Sequence, residues 1–148
     1  MEPRGTVLPI YLVADESMSM SPCIGELNEG LTSLLSALQR EPFAASKVRL
    51  SVIGFAEDAV TYLRLADLRS LEAIPMLRAR GSSTSYRAAF DQVGACISQD
   101  VPSLKSQGFL VNRPVVFFLT DGVPDVTEDW LAARDYLLAR RTAPNILS

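Results

Sequence analysis

The chain has 148 residues, of which 48% are hydrophobic, 21% charged and 7% aromatic. This composition is typical of a globular protein and excludes a disordered or fibrous chain. Fourteen basic and 17 acidic residues give a formal net charge of -3. Nucleic acid is not expected as a partner, because its binding needs clustered positive charge and the basic residues here are scattered.

Residue types and patterns that the sequence lacks exclude further classes of function. The chain has no histidine, which excludes Ser-His-Asp and Cys-His catalysis and the usual zinc sites. Its two cysteines, Cys23 and Cys96, lie far apart, so we expect neither a redox pair nor a disulfide. No apolar run approaches the roughly 20 residues of a membrane span, and the N-terminal sequence lacks a signal-peptide pattern. We therefore expect a cytoplasmic protein with no membrane partner.

The first half of the chain predicts a buried strand, a helix and a hairpin. Residues 6–14 form a nearly continuous apolar run, typical of a strand buried on both faces of a parallel sheet. Residues 24–38 have apolar side chains at spacings of three and four, which predicts a helix. Residues 47–56 and 59–65 are predicted strands joined by a short acidic turn. The leucine spacing across 65–71 predicts a brief helix.

The second half predicts two more helices and a strongly apolar strand. A polar loop at residues 81–85 precedes a helix with an apolar face from Tyr86 to Ile97. Residues 102–113 are predicted to be a connecting loop, and residues 115–119 are the most apolar strand candidate. The last helix begins at Thr127, and its acidic first turn and basic last turn complement the helix dipole.

Strands that alternate with helices predict an α/β fold. We expect a doubly wound, Rossmann-like, mostly parallel sheet flanked by helices, with one antiparallel edge strand. No linker, internal repeat or low-complexity segment divides residues 1–148, so we expect a single domain. Residues 145–147 predict the opening of one more strand. We therefore expect this domain to lack its last strand and helix.

Polar side chains follow two of the predicted strands. Asp15, Ser17 and Ser19 follow the first strand, and Asp121 follows the most apolar one. Thr84 lies in the loop that opens a helix. Because ligands of such a fold bind beyond the carboxyl ends of the strands, we expect these side chains to form an acidic cup lined with hydroxyls. Such oxygen ligands suit a hard divalent cation, above all Mg²⁺, with Mn²⁺ or Ca²⁺ as alternatives.

Ordinary structural roles are the alternative for each of these residues. Aspartate favours turns and helix N-caps, so Asp15 and Asp121 fit those roles as well. The serines are equally suited to a plain loop, and Thr84 to a helix cap. Met18 and Met20, beside the predicted site, either form an exposed apolar rim suited to a partner or pack inwards.

The pattern of DESMS at residues 15–19, Thr84 after a Gly/Ser loop, and TDG at residues 120–122 resembles the von Willebrand factor A (vWA) domain. That family's metal-ion-dependent adhesion site (MIDAS) consists of DxSxS, a distant Thr and a distant Asp. The order and context match along nearly the whole chain. Residues 113–122 look most similar to bacterial intracellular members, including those of tellurium-resistance clusters.

The resemblance implies a role for each candidate residue. Ser17 and Ser19 would bind the metal through their hydroxyls, and Asp15 and Asp121 would bind it directly or through water. Thr84 would join when ligand is bound. The remaining coordination position would be offered to an acidic side chain, Asp or Glu, of a protein partner.

The leading hypothesis is therefore a non-enzymatic, metal-dependent protein-binding module, with a stress or metal-resistance complex as its bacterial setting. One alternative is a Mg²⁺-dependent phosphoryl-transfer enzyme with Asp15 as nucleophile. Phosphatases of the haloacid-dehalogenase type have a second acidic residue where this chain has Ser17, and the only lysines, Lys47 and Lys105, lie away from both motifs. A structural subunit with a vestigial site is the third hypothesis.

Overall fold

The computed structural model describes residues 5–81, 83–119 and 145–147. Strands and helices alternate through most of these ranges. In chain order they are β1 (Thr6–Asp15), a one-turn 3₁₀ helix (Met18–Met20), α1 (Ile24–Arg40), α2 (Pro42–Lys47), β2 (Val48–Phe55), β3 (Ala59–Asp67), α3 (Tyr86–Ser106), β4 (Leu110–Val111), β5 (Val115–Leu119) and β6 (Asn145–Leu147).

The described strands form one sheet with β1 at its centre. The strand order is β3-β2-β1-β5-β6, and β4 pairs with the beginning of β1. The pairs of β1 with β2, of β1 with β5 and of β5 with β6 are parallel. β3 is antiparallel to β2 and lies at the edge. The predicted α/β fold with one antiparallel edge strand is confirmed, as is the predicted strand at residues 145–147.

Helices cover the sheet on both faces, because alternate side chains of the central strands point to opposite sides. Leu12 of β1 belongs to an apolar cluster that includes Leu31 and Leu35 of α1. The neighbouring Tyr11 belongs to the opposite cluster, which includes Phe90 and other residues of α3. All eight residues of β2 are buried, as expected for a strand covered on both faces.

The predicted brief helix across residues 65–71 is wrong. β3 continues to Asp67 because Ala66 and Asp67 pair with residues of β2. A turn follows, in which the Ser70 N–H donates to the Asp67 carbonyl over 3.1 Å. Leu68 is completely buried, and Leu71 packs against the same cluster as α1. The leucine spacing therefore reflects inward packing of an irregular segment.

Two helical segments that the sequence did not predict contain a proline: the end of α3 and the short helix α2. α3 continues through Pro102 to Ser106, where a connecting loop was expected. Proline removes a helical hydrogen bond, but Val101 and Leu104 on either side are buried in the core, and their packing offsets that loss. The short helix α2 begins with Pro42, a position where the missing N–H costs little.

Three remaining predictions concern the cysteines, the membrane and the last helix. Neither cysteine is in a disulfide. Among the helices that the structure describes, none is both long and apolar enough to cross a bilayer. The helix predicted to begin at Thr127 lies outside the described residues.

Candidate metal-binding site

Asp15 is the last residue of β1 and lies at the carboxyl edge of the sheet. It pairs with Phe55, the last residue of β2, and its side chain is completely buried. The Ser17 N–H donates to Asp15 Oδ1 over 2.8 Å. This turn-forming contact is the structural role that aspartate favours after a strand. It also fixes the carboxylate beside the serines of the motif.

The hydroxyls of Ser17 and Ser19, two and four residues after Asp15, lie next to each other. Their Oγ atoms are 2.9 Å apart and share a hydrogen bond. Ser17 precedes the one-turn 3₁₀ helix, in which the Met20 N–H donates to the Ser17 carbonyl over 2.9 Å. Mg²⁺ binds oxygen octahedrally at about 2.1 Å, which places neighbouring ligands about 3.0 Å apart. The two hydroxyls therefore have the spacing of two adjacent ligands of one ion.

The loop that contains Thr84 lies against this turn. Ser17 and Gly81 form a parallel bridge, and the Met18 N–H donates to the Gly81 carbonyl over 2.7 Å. A Cβ atom at Gly81 would overlap that of Ala56, so the close approach requires glycine. Thr84 itself is buried. The structure thus places the loop of Thr84 at the same sheet edge as Asp15 and Ser17.

Ser85, and not Thr84, caps α3. The Ser85 Oγ accepts a hydrogen bond from the Ala88 N–H over 3.0 Å. The Ser85 N–H donates to the Ala56 carbonyl over 2.7 Å, which fixes this end of the loop to the residue after β2. The helix-cap alternative for Thr84 is therefore wrong.

The position of Asp121 stays a prediction, because this residue lies outside the described ranges. The strand before it is described. β5 ends at Leu119, which pairs with Ala14, the residue that precedes Asp15. The ends of β1 and β5 therefore lie side by side at the carboxyl edge of the sheet.

The two methionines beside the serines have different environments. Met18 is 54% exposed, whereas Met20 is buried. The exposed-rim alternative therefore applies to Met18, and the inward-packing alternative to Met20.

Glu16, the second residue of the motif, was not singled out in the sequence, yet it is the centre of a buried hydrogen-bond network. Its side chain is completely buried. The Tyr62 hydroxyl lies 2.9 and 3.0 Å from its two carboxylate oxygens. Arg80 Nε donates to Oε1 over 3.0 Å, and the Arg78 N–H donates to Oε2 over 3.1 Å. A Cβ atom at Gly54 would overlap Oε1.

Arg80 extends this network to the turn between β2 and β3. Its Nη1 also donates to Asp58 Oδ1. Burial lowers the Arg80 pKa, but hydrogen bonds to Asp58 and Glu16 outweigh it and raise the pKa overall. The hydrogen bond from Arg80 lowers the pKa of Asp58. Burial and the contact with Glu16 raise the pKa of Tyr62, which therefore remains a protonated donor at neutral pH.

The match to a known family agrees with this geometry. The family model described as von Willebrand factor type A domain matches residues 10–123, a range that contains all five candidate ligands. The chain belongs to the von Willebrand factor type A domain family. No curated protein sequence matches the chain significantly.

Several solved structures have the same fold at low sequence identity. The pilus adhesin SpaC from Lactobacillus rhamnosus GG, in its open conformation, has a TM-score of 0.63 at 20% identity, covering 83% of this chain and 16% of that chain. The ArnB paralog VWA2 from Sulfolobus acidocaldarius has a TM-score of 0.57 at 20% identity, covering 95% and 33%. Proximal thread matrix protein 1 from the mussel byssus, with a zinc-occupied MIDAS motif, has a TM-score of 0.57 at 15% identity, covering 95% and 34%. The chain thus spans about a third or less of each solved chain.

Proposed function

We propose that this chain is a metal-dependent protein-binding module, which binds a divalent cation and offers one coordination position to an acidic side chain of a partner. The observation that supports this most directly is the 2.9 Å spacing of the Ser17 and Ser19 hydroxyls, directly after the buried carboxylate of Asp15. The family provides the second support, since the DxSxS positions lie within the matched range.

The proposed cation is Mg²⁺, with Mn²⁺ or Ca²⁺ as alternatives, and its proposed ligands are Asp15, Ser17, Ser19, Thr84 and Asp121. All of these donors are oxygens, which hard cations prefer. Within the part of the chain that the structure describes, no three His, Cys, Asp or Glu side chains converge in a way that could bind a metal. A site here would therefore combine carboxylates with hydroxyls and water.

The proposed partner supplies an Asp or Glu. Two aspartates formally neutralise a divalent cation, but with the hydroxyls they leave at least one octahedral position to water or a ligand. A carboxylate from outside would replace that water with a charged oxygen, which is a stronger ligand than a neutral one. Met18 is 54% exposed between the two serines and would give the partner an apolar contact at the rim.

The positions of the lysines support binding rather than phosphoryl transfer. Lys47 directly precedes β2, whereas Asp15 lies beside the end of that strand. Lys105 lies in the last turn of α3, which begins at the site and ends near the start of β1. Both lysines therefore lie near the amino ends of the parallel strands, whereas Asp15 lies at the carboxyl end. They are too far from Asp15 to bind a phosphoryl group there.

The proposed setting is the cytoplasm of a bacterium, in a stress or metal-resistance complex. This part of the proposal rests on sequence resemblance, since residues 113–122 look most similar to intracellular members of the family, including those of tellurium-resistance clusters.

Calorimetry with a purified partner tests the proposed function. The partner is first recovered from native cells by its retention on the immobilised chain in Mg²⁺ and its release by chelator. We expect the complex to be lost in chelator, and replacement of one partner Asp or Glu to weaken it at least tenfold. Thr84→Ala should weaken the complex while leaving Mg²⁺ affinity largely unchanged, and Thr84→Ser should restore it. Equal affinity in Mg²⁺ and in chelator would contradict the proposal.

A further inference from the structure

Two separate segments carry the described candidate ligands, and Glu16 connects them. Residues 15–19 contain Asp15 and the two serines, and residues 81–85 contain Thr84. The Glu16 carbonyl accepts hydrogen bonds from the N–H groups of Arg80 and Gly81, over 2.7 and 3.4 Å. Its carboxylate binds the same segment through the backbone of Arg78 and the side chain of Arg80. Both the main chain and the side chain of Glu16 thus fix residues 78–81.

The side chain of Glu16 contacts a different set of groups from its neighbours in the motif. The side chains of Asp15 and Ser17 form hydrogen bonds within residues 15–19, to the Ser17 N–H and the Ser19 hydroxyl respectively. The Glu16 carboxylate instead contacts Tyr62 of β3 and Arg80, whose guanidinium reaches the β2–β3 turn at Asp58. A buried carboxylate is strongly disfavoured unless it is paired and hydrogen-bonded. Arg80 and Tyr62 therefore stabilise the buried carboxylate of Glu16.

We propose that Glu16 is a positioning residue of the metal site. Through Arg80 and Tyr62 it fixes residues 78–81 against the turn of Ser17 and Ser19, where Ser17 and Gly81 form a bridge and the Met18 N–H donates to the Gly81 carbonyl. Asp15 and the two hydroxyls thereby keep the positions that one cation requires. This inference rests on the proposed function. Contacts that orient metal ligands typically change metal affinity by about 10- to 100-fold when they are removed.

The test measures Mn²⁺ binding by calorimetry, with the metal alone as the probe, in the full chain and in Arg80→Gln. The replacement removes a positive charge near the site, so an electrostatic effect alone would strengthen cation binding. Loss of positioning would weaken it instead. We expect about tenfold weaker Mn²⁺ binding in Arg80→Gln. Tyr62→Phe, a milder change that leaves the net charge unaltered, should weaken binding in the same direction.

A second buried network provides matched controls. Asp100 of α3 accepts hydrogen bonds from the Tyr11 hydroxyl and from Arg64 Nε, each over 2.8 Å. Like Glu16, Asp100 is a buried carboxylate that contacts one tyrosine and one arginine. It differs from Glu16 in having no contact with residues 15–19 or 81–85 among these bonds. Arg64→Gln and Tyr11→Phe should lower stability, as we also expect of the Arg80 and Tyr62 variants, but should leave Mn²⁺ affinity unchanged.

Hydrogen exchange in the metal-free protein provides a readout independent of metal binding. The amides of Met18, Arg78 and Arg80 make the hydrogen bonds between the two segments. They should exchange faster in Arg80→Gln than in the wild type, and at the wild-type rate in Arg64→Gln. Mn²⁺ affinity in Arg80→Gln and Tyr62→Phe equal to or above that of the wild type would overturn the positioning role. A wild-type chain that bound no Mn²⁺ would overturn the proposed function itself, so the two failures are distinguishable.

Discussion

Asp15 is the residue on which the proposed metal site depends most, because its buried carboxylate lies at the end of the central strand. Millimolar Mg²⁺ should raise the melting temperature of the wild type, since a ligand that binds only the folded state stabilises it. Asp15→Ala should remove this rise. The variant should still fold, because β1 keeps its pairs with β2 and β5. Thermal melts with and without Mg²⁺ measure the effect.

The matched control for this prediction is Asp91→Ala. It removes the same charge from a side chain on α3 that is 64% exposed, and should keep the response to Mg²⁺. An Asp15→Ala protein that was stabilised by Mg²⁺ as much as the wild type would show that the cation binds elsewhere.

Gly54 is required by the network around Glu16. A Cβ atom there would overlap Oε1 of Glu16 and approach the ring of Tyr62 at 2.6 Å. Gly54→Ala should therefore lower the free energy of unfolding by about 2 kcal/mol, as overpacking of a filled interior does. Gly30→Ala is the control, since a Cβ atom meets nothing within 4 Å at this position of α1. It should stabilise the helix by about 0.5 kcal/mol. Denaturant titration measures both changes. Equal stability of the two variants would show that the network around Glu16 does not require glycine at residue 54.

The residues of the site differed in how far the sequence could predict them. Asp15, Ser17 and Ser19 were predicted to lie together because all three directly follow one strand, and in the structure the two hydroxyls are 2.9 Å apart. The role of Glu16 depends on Tyr62 and Arg80, which lie 46 and 64 residues further along the chain. No local pattern marks contacts at such separations, because they arise only when β3 and the following loop fold against β1.

At the scale of elements, the strands were predictable where both of their faces are buried. β1, β2 and β5 each consist mainly of apolar residues, as the sandwiched position requires. The structure of the segment after β3 could not be predicted from the spacing of its leucines. Leu68 and Leu71 have helical spacing, but pairing of Asp67 with Arg49 extends the strand instead. Similarly, Pro102 indicated a loop, and only the burial of the surrounding turn explains why α3 continues.

Asp100 adds polar contacts between α3 and the sheet to the apolar packing of that helix. Its carboxylate is 2% exposed and connects α3 to β1 through Tyr11 and to β3 through Arg64. Burial and this hydrogen bond raise the pKa of Tyr11, which therefore remains a donor. Asp100→Asn should lower the free energy of unfolding by about 2 kcal/mol, because it removes the charge that pairs with Arg64 and replaces one buried acceptor oxygen with an NH2 group, which cannot accept a hydrogen bond.

The exposed ion pair of Arg87 with Asp91 on the same helix is the comparison. Asp91→Asn should cost only about 0.3 kcal/mol, as solvent-exposed pairs do. Denaturant titrations of the two variants check the difference. A loss for Asp100→Asn as small as that for Asp91→Asn would show that this network does not anchor α3.

At the scale of the whole molecule, the apolar core and the proposed metal site occupy different parts of the structure. Two apolar clusters, one on each face of the sheet, account for the fold. The described candidate ligands, Asp15, Ser17, Ser19 and Thr84, lie beyond these clusters at the carboxyl edge, where the turn of Ser17 contacts Gly81. Removal of the cation is therefore expected to leave the protein folded and to affect the site alone.

The most direct test of the metal site is a crystal structure of the chain grown with Mn²⁺, with anomalous scattering used to locate the ion. We expect one anomalous peak within about 2.5 Å of both Ser17 Oγ and Ser19 Oγ, next to the carboxylate of Asp15. The two hydroxyls, which now share a hydrogen bond, should both turn towards the ion. Well-ordered serines that still bonded each other, with no anomalous peak beside them, would show that no metal binds at this site.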